Sequence, residues 1–264
     1  MCSIFGMGLF QEHTLDDTAT VKAIMATLLK EAEVNGRSAS GVAVMKSRST
    51  EVIRRPLAGS MLTKDKDYLD FADKHMRVGK DETSSDHLKS MIGHCRMPTK
   101  GSPENNYNNH PIVVENIVGV HNGVIANDDE LFNKFRKNIT RIARVDTEII
   151  FQLVSHFTRR FGSNRTIKSI RETVGHIKGG YACALLNIDS PYNLFLFRSG
   201  NPIRILYYPA VKVILFATRE NFILTAVKPF EDYLGDPIEI EVISGMGVAF
   251  NLFAKTMSKF VLKP

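Results

Sequence analysis

Long hydrophobic runs are missing from this 264-residue sequence: no apolar stretch approaches the ~20 residues of a bilayer-spanning helix. Cysteine is scarce as well. The three present (Cys2, Cys95, Cys183) are an odd number with neither a pairing framework nor a metal-ligand spacing, which argues against a disulfide-stapled domain and a structural zinc site. A reducing, cytoplasmic setting is the expectation. The N-terminus lacks the basic and longer apolar segments of a signal peptide, so Cys2 is not expected to be a lipoprotein anchor. There is no Gly-x-x-x-x-Gly-Lys phosphate cradle, hence no expectation of ATP use. Basic residues exceed acidic ones by 34 to 28, but in short groups such as FRKNITRIAR, without an Arg-rich or aromatic-interleaved motif. A solvated face fits that scatter better than direct nucleic-acid binding.

What is present is the balance of a globular chain, 44% hydrophobic and 23% charged, with no internal repeat or linker. One domain over residues 2–264 is expected. SIFGMGLF predicts a buried strand. In the segment after it, Val21, Met25, Leu28, Leu29 and Ala32 recur at helical spacing, with Thr14 and Asp17 as a capping start and Gly36 as the stop. SGVAVM and EVIRRP predict strands, KDYLDFADKHM a helix, SMIGHCR and NIVGVHNG further strands about a polar loop. Two helices, DTEIIFQLVSHFTRRF and NRTIKSIRETVGHI, precede seven short apolar runs divided by turn residues, from YACALLNI to SKFVLKP. Helices in the middle and strands at both ends suit two packed sheets flanked by helices.

Four stretches put polar groups at strand ends or helix starts: Cys2, GHCRMPTKG, HNG and DTE. Each has an ordinary explanation. Cys2 could be a small buried hydrophobe, Arg96 and Thr99 a surface ion-pair donor and a turn hydroxyl, Asn122-Gly123 a tight turn, and Asp146 a helix N-cap. Cys2 has a second aspect: if Met1 is removed, it carries a free α-amine beside its thiol, so nucleophile and base share one residue.

Together the four stretches resemble the glutaminase domain of class II glutamine amidotransferases, the N-terminal-nucleophile family. GHCRMPTKG is similar to that family's Gly-His-x-Arg-x-x-Thr element, NHPIVVENIVGVHNGVIAN to its His-Pro … His-Asn-Gly stretch, and VDTEII to its Asp-Thr-Glu helix start. GRSASGVAV, GGYACALL and FRSGNPIRI match further elements in the expected order, and the parallel is with the amidotransferase half of glucosamine-6-phosphate synthase. The resemblance implies an α+β fold, a four-layer αββα sandwich of two antiparallel sheets (the Ntn-hydrolase fold). It implies Cys2 as nucleophile, Asn122 and Gly123 as oxyanion donors, and Arg96, Thr99 and Asp146 as the groups that bind L-glutamine. His94, His110 and His121 are then structural groups; no metal and no cofactor is implied.

The chain departs from the pattern at Met97, Pro98 and Lys100, in the loop that covers glutamine, and NGRSASG lacks the family's Arg-Gly-x-Asp order. Because the sequence ends at SKFVLKP, no synthase domain is expected, and a separate synthetase subunit is expected to receive ammonia, with Lys100 meeting an acidic or phosphorylated partner surface. Two alternatives stand beside this reading: another N-terminal cysteine amide hydrolase, and a catalytically silent regulatory or assembly subunit. The oligomeric state is not legible.

Overall fold

The computed structural model describes residues 2–79 and 85–262. In chain order its elements are β1 (Ser3–Leu9), α1 (Thr18–Ala32), β2 (Ala39–Lys46), β3 (Thr50–Arg55), α2 (Gly59–Leu62), α3 (Lys66–His75), β4 (Leu88–Arg96), β5 (Ile112–Val114), β6 (Ile117–Ile125), α4 (Asp128–Lys134), α5 (Thr147–Phe161) and α6 (Thr166–His176). The second half continues with β7 (Gly179–Asn187), β8 (Asn193–Ser199), β9 (Arg204–Tyr208), β10 (Val213–Ala217), α7 (Glu220–Val227), α8 (Glu231–Leu234), β11 (Ile238–Glu239), β12 (Met246–Asn251) and β13 (Thr256–Val261).

Two antiparallel sheets result, of order β11-β9-β10-β1-β4-β2-β3 and β13-β12-β8-β7-β6-β5. Strand alternation divides the apolar residues into three cores. On the first sheet, Phe5, Met7, Met91 and Leu215 face outward against Leu28 of α1 and Phe222 of α7. On the second, Ile117, Leu185 and Phe197 face Phe151 and Val154 of α5 and Ile170 of α6. The opposite faces meet between the sheets, where Ile4, Ile92 and Phe216 pack on Val120, Ala184 and Leu196. The expected αββα sandwich is therefore present. Gly6 leaves room on β1 for its own sheet neighbours, since a Cβ there would overlap the Met91 carbonyl of β4 and the Phe216 ring of β10.

Several local expectations need correction. Asp17, not Thr14, caps α1: its carboxylate accepts from the N–H groups of Ala19 (2.9 Å) and Thr20 (3.0 Å). Of the run IEIEVI only Ile238 and Glu239 pair as a strand, on β9. Helix α7 interrupts the C-terminal strands; its eight residues bury only Phe222, Ile223, Ala226 and Val227, too short a pattern to declare a period in sequence. The end of SKFVLKP, Lys263 and Pro264, lies outside the described residues. Among the described residues no helix is long and apolar enough to cross a membrane.

Candidate active site

The inter-sheet face runs out of apolar side chains at one end of the sandwich. Stepping by two from Ile92 along β4 leads to His94 and Arg96, from Val118 and Val120 along β6 to Asn122, and back from Ile4 along β1 to Cys2. The same period that fills the core thus gathers the predicted polar groups.

Cys2 is half-buried. Its Sγ accepts from the Met97 N–H (3.3 Å) and lies 3.4 Å from the Met97 carbonyl, so the segment leaving β4 crosses over the thiol. Burial pushes the Cys2 thiol above its ordinary value; the Met97 hydrogen bond and the Arg96 charge pull it down, and the Asp146 carboxylate pushes it up. Cys95 and Cys183 are fully buried, and burial raises both thiols far more. The strand that delivers Cys2 is pinned by groups that sequence reading missed. Thr218 Oγ1 accepts from the Ile4 N–H (2.9 Å), Asn35 Nδ2 donates to Ser3 Oγ (2.9 Å), and Arg219 donates to Asn35 Oδ1 (3.0 Å). Asn35 falls in the singled-out NGRSASG segment, but nothing in the sequence marks Thr218.

Asn122 and Gly123 do not form a turn. Both lie within β6, paired with Ala182 and Tyr181 of β7. The turn expectation fails because the glycine is required by space instead: at φ 153°, a Cβ on Gly123 would overlap the Gly180 carbonyl oxygen. Asn122 is 1% exposed, and neither its Oδ1 nor its Nδ2 has a hydrogen-bond partner among the described residues. Its backbone carbonyl accepts from Asn201 Nδ2 (2.7 Å), which assigns a fixing role to the FRSGNPIRI segment. Buried amides normally find partners, and leaving one orphaned costs on the order of 1–3 kcal/mol.

Asp146 occupies the N-cap position of α5 without capping it. Its Oδ2 instead accepts from the backbone N–H of Ile125 (2.7 Å), which ties the helix start to the end of the Asn122 strand. Arg96 is 3% exposed and not a surface ion-pair donor. Its Nη1 donates to Asn109 Oδ1 (2.9 Å) and its Nη2 to the carbonyls of Lys100 and Gly101 (2.8 Å for the latter), so it braces the loop beyond β4. Thr99 is exposed on that loop and is not gathered with the other groups. Lys100 is not free to meet a partner either: its Nζ bonds Asp128 Oδ1 (2.7 Å) and Asp129 Oδ2 (3.4 Å).

The three histidines sit behind the site. His94 Nε2 donates to the His121 carbonyl (3.1 Å), His121 Nδ1 meets Thr147 Oγ1 (2.9 Å), and the His94 and His110 rings stack at 4.0 Å. Burial pushes His94 down to about 3 and His110 well below its ordinary value, so both rings are neutral at pH 7. Stacked rings present faces rather than convergent lone pairs, and among the described residues no group of three His, Cys, Asp or Glu is disposed to hold a metal ion.

Comparison with known proteins adds the lineage. A family model described as a glutamine amidotransferase domain matches residues 94–225, half of the chain. The glutamine–fructose-6-phosphate aminotransferase (isomerizing) of Staphylococcus aureus strain Mu50 is 30% identical over 184 residues, which is 69% of this chain and 28% of that protein. Its counterpart from Agrobacterium fabrum is 28% identical over 210 residues, 78% of this chain and 30% of that one. The chain thus spans under a third of the length of these curated relatives. Glutamine phosphoribosylpyrophosphate amidotransferase from B. subtilis, solved with ADP and GMP, shares the fold at a TM-score of 0.66 and 17% identity, covering 99% of this chain and 49% of that one. The chain belongs to the class II glutamine amidotransferase domain family.

Proposed function

We propose that the chain hydrolyses the side-chain amide of L-glutamine, with Cys2 as nucleophile, and supplies ammonia to a separate acceptor enzyme. The observation that carries this reading is the unpartnered buried amide of Asn122, on the inner face of the second sheet, which faces the sheet whose first strand delivers Cys2. An amide donor held without a partner suits an oxygen that becomes negative only during reaction. Removal of Met1 would free the Cys2 α-amine, whose usual pKa is about 8. A thiol raised by burial stays protonated at pH 7, so the amine has a proton to take as Sγ attacks the amide carbon. The C–N bond then breaks, the same proton leaves with ammonia, and water cleaves the resulting γ-glutamyl thioester to glutamate and free thiol.

Recognition of the amino-acid head follows from charge. Three of the five N–H groups of Arg96 hold the loop, leaving two for the α-carboxylate, and one Asp146 oxygen beyond the Ile125 bond suits the α-ammonium. Thr99 would join only after the loop rearranges. The free cysteines support a reducing compartment. The named relatives act on glutamine and fructose 6-phosphate, and the aligned part is under a third of each; the acceptor used with this chain is therefore left to its partner.

The test is direct. Intact mass of active protein should show loss of one methionine, and Cys2→Ala should abolish glutamate release and labelling by a glutamine-like diazoketone. Full turnover with Met1 retained would exclude the amine as base; full turnover in Cys2→Ala would exclude the nucleophile.

A further inference from the structure

The loop that crosses Cys2 is fastened at a point no site residue occupies. After Arg96 the chain passes Met97, whose N–H bonds the thiol, and reaches Lys100, whose side chain spans to the start of α4. There Asp128, 1% exposed, accepts from Lys100 Nζ (2.7 Å) and from Arg141 Nη2 (3.0 Å). Exposed Asp129 makes a second, looser contact to Lys100 and a close one to Arg141 Nη1. Arg141 is further fixed by stacking over the Phe132 ring at 4.6 Å and by donating from Nε to the Ala143 carbonyl.

These four charges join three segments that each end in a site group. One is the loop carrying Arg96 and Thr99, another follows the Asn122 strand by two residues, and the third leads into Asp146. A buried carboxylate left without its cations is costly, and a charge-assisted bond at 2.7 Å holds geometry as well as energy. Lys100 contributes from the exposed side, so the latch can open by releasing one flexible side chain while Asp128 keeps Arg141.

We propose that Asp128 is a positioning residue that, through Lys100 and Arg141, latches the loop over Cys2 and thereby sets how glutamine is enclosed. Asp128 bonds Lys100 and Arg141 rather than the thiol. It acts on Met97, Thr99 and Arg96 through the Lys100 side chain, and the carbonyls of Lys100 and Gly101 on Arg96 close the connection. The proposal rests on Cys2 being the nucleophile, but it makes a statement about loop position that alkylation reads without any turnover.

The experiment compares Asp128→Asn, Lys100→Met and the double variant, each verified as folded by circular dichroism. Lys100 is half-exposed, so Lys100→Met keeps the test open if Asp128→Asn fails to fold. Glutamine KM is expected to rise about tenfold, as for loss of a charged hydrogen bond, with kcat within about threefold. Iodoacetamide should alkylate Cys2 several-fold faster, a signal specific to Cys2 because Cys95 and Cys183 are buried. The double variant should be no worse than the worse single one, since both remove one latch. Folded variants with parental KM and parental alkylation rate would overturn the proposal. If the parent itself does not hydrolyse glutamine, faster alkylation in the variants still supports the latch, while the proposed activity fails separately.

Discussion

Asn122 holds an amide that the fold has buried and left unanswered. Such a group destabilises the resting protein, and the cost is offset only when a negative oxygen arrives, which is the condition for stabilising a transition state rather than a ground state. Asn122→Ala is therefore expected to lower kcat by about 10²–10³-fold with little change in KM, measured by glutamate release at saturating glutamine. An effect confined to KM would assign the amide to substrate binding instead. The neighbouring glycine illustrates a limit of sequence reading. Asn-Gly favours turns because glycine accepts positive φ, yet here the glycine lies within a strand, where the Gly180 carbonyl of the paired β7, beyond α4, α5 and α6 in sequence, leaves no room for a Cβ.

Strand β1 delivers Cys2, and its position is set by its neighbours: β10 and β4 on either side and Thr218 at the end. Thr218 Oγ1 accepts the Ile4 N–H (2.9 Å) and lies 3.3 Å from the Ile4 carbonyl as donor, all in buried surroundings. Thr218→Val keeps the shape but leaves the N–H unmet, so a destabilisation of about 1–3 kcal/mol is expected. Chemical denaturation should show it as a lower midpoint at unchanged slope, and kcat should fall with it because the nucleophile's strand loses its anchor. Unchanged stability would mean that another group, or water, satisfies Ile4. Most strands were legible as short apolar runs bounded by turn residues, α1 from its helical spacing, and α3, α5 and α6 as helical segments. The four short helices α2, α4, α7 and α8 and the strand β5 were not, because such short segments carry too little periodicity to compete with loop composition.

On the scale of the whole molecule, acid should unfold the sandwich through its buried imidazoles. His94 is pushed down to about 3 and His110 and His121 are also lowered, each chiefly by burial. Below pH 6.5 the unfolded chain binds protons that the folded one refuses, so stability is full above about pH 6.5 and is lost as pH falls toward 3. His110 has no partner on either ring nitrogen among the described residues and stacks on His94. Phenylalanine fills the same space without titrating. His110→Phe should accordingly leave stability at pH 8 near parental and make the decline between pH 6.5 and 4 shallower, by up to about 1.4 kcal/mol per pH unit for the one proton removed. Equal slopes in denaturant titrations of both proteins would show that His110 is protonated in the folded state as well.

The sequence by itself determined the alternation that aims His94 and Arg96 to one side of β4 and Asn122 to one side of β6, because side-chain direction along a strand is a property of the local backbone; that these sides belong to two sheets and face each other was decided by the tertiary structure. It also carried the family resemblance, since motif residues and their order are linear information. Only the tertiary structure decided that Asp146 leaves its helix to hold Ile125, that Arg96 braces the loop, and that Lys100 turns inward to Asp128. Each of those choices is a competition between water and a partner 4 to 28 positions away, and what settles such a competition is which groups the packed sheets bring within about 3 Å of one another in a space that water does not fill.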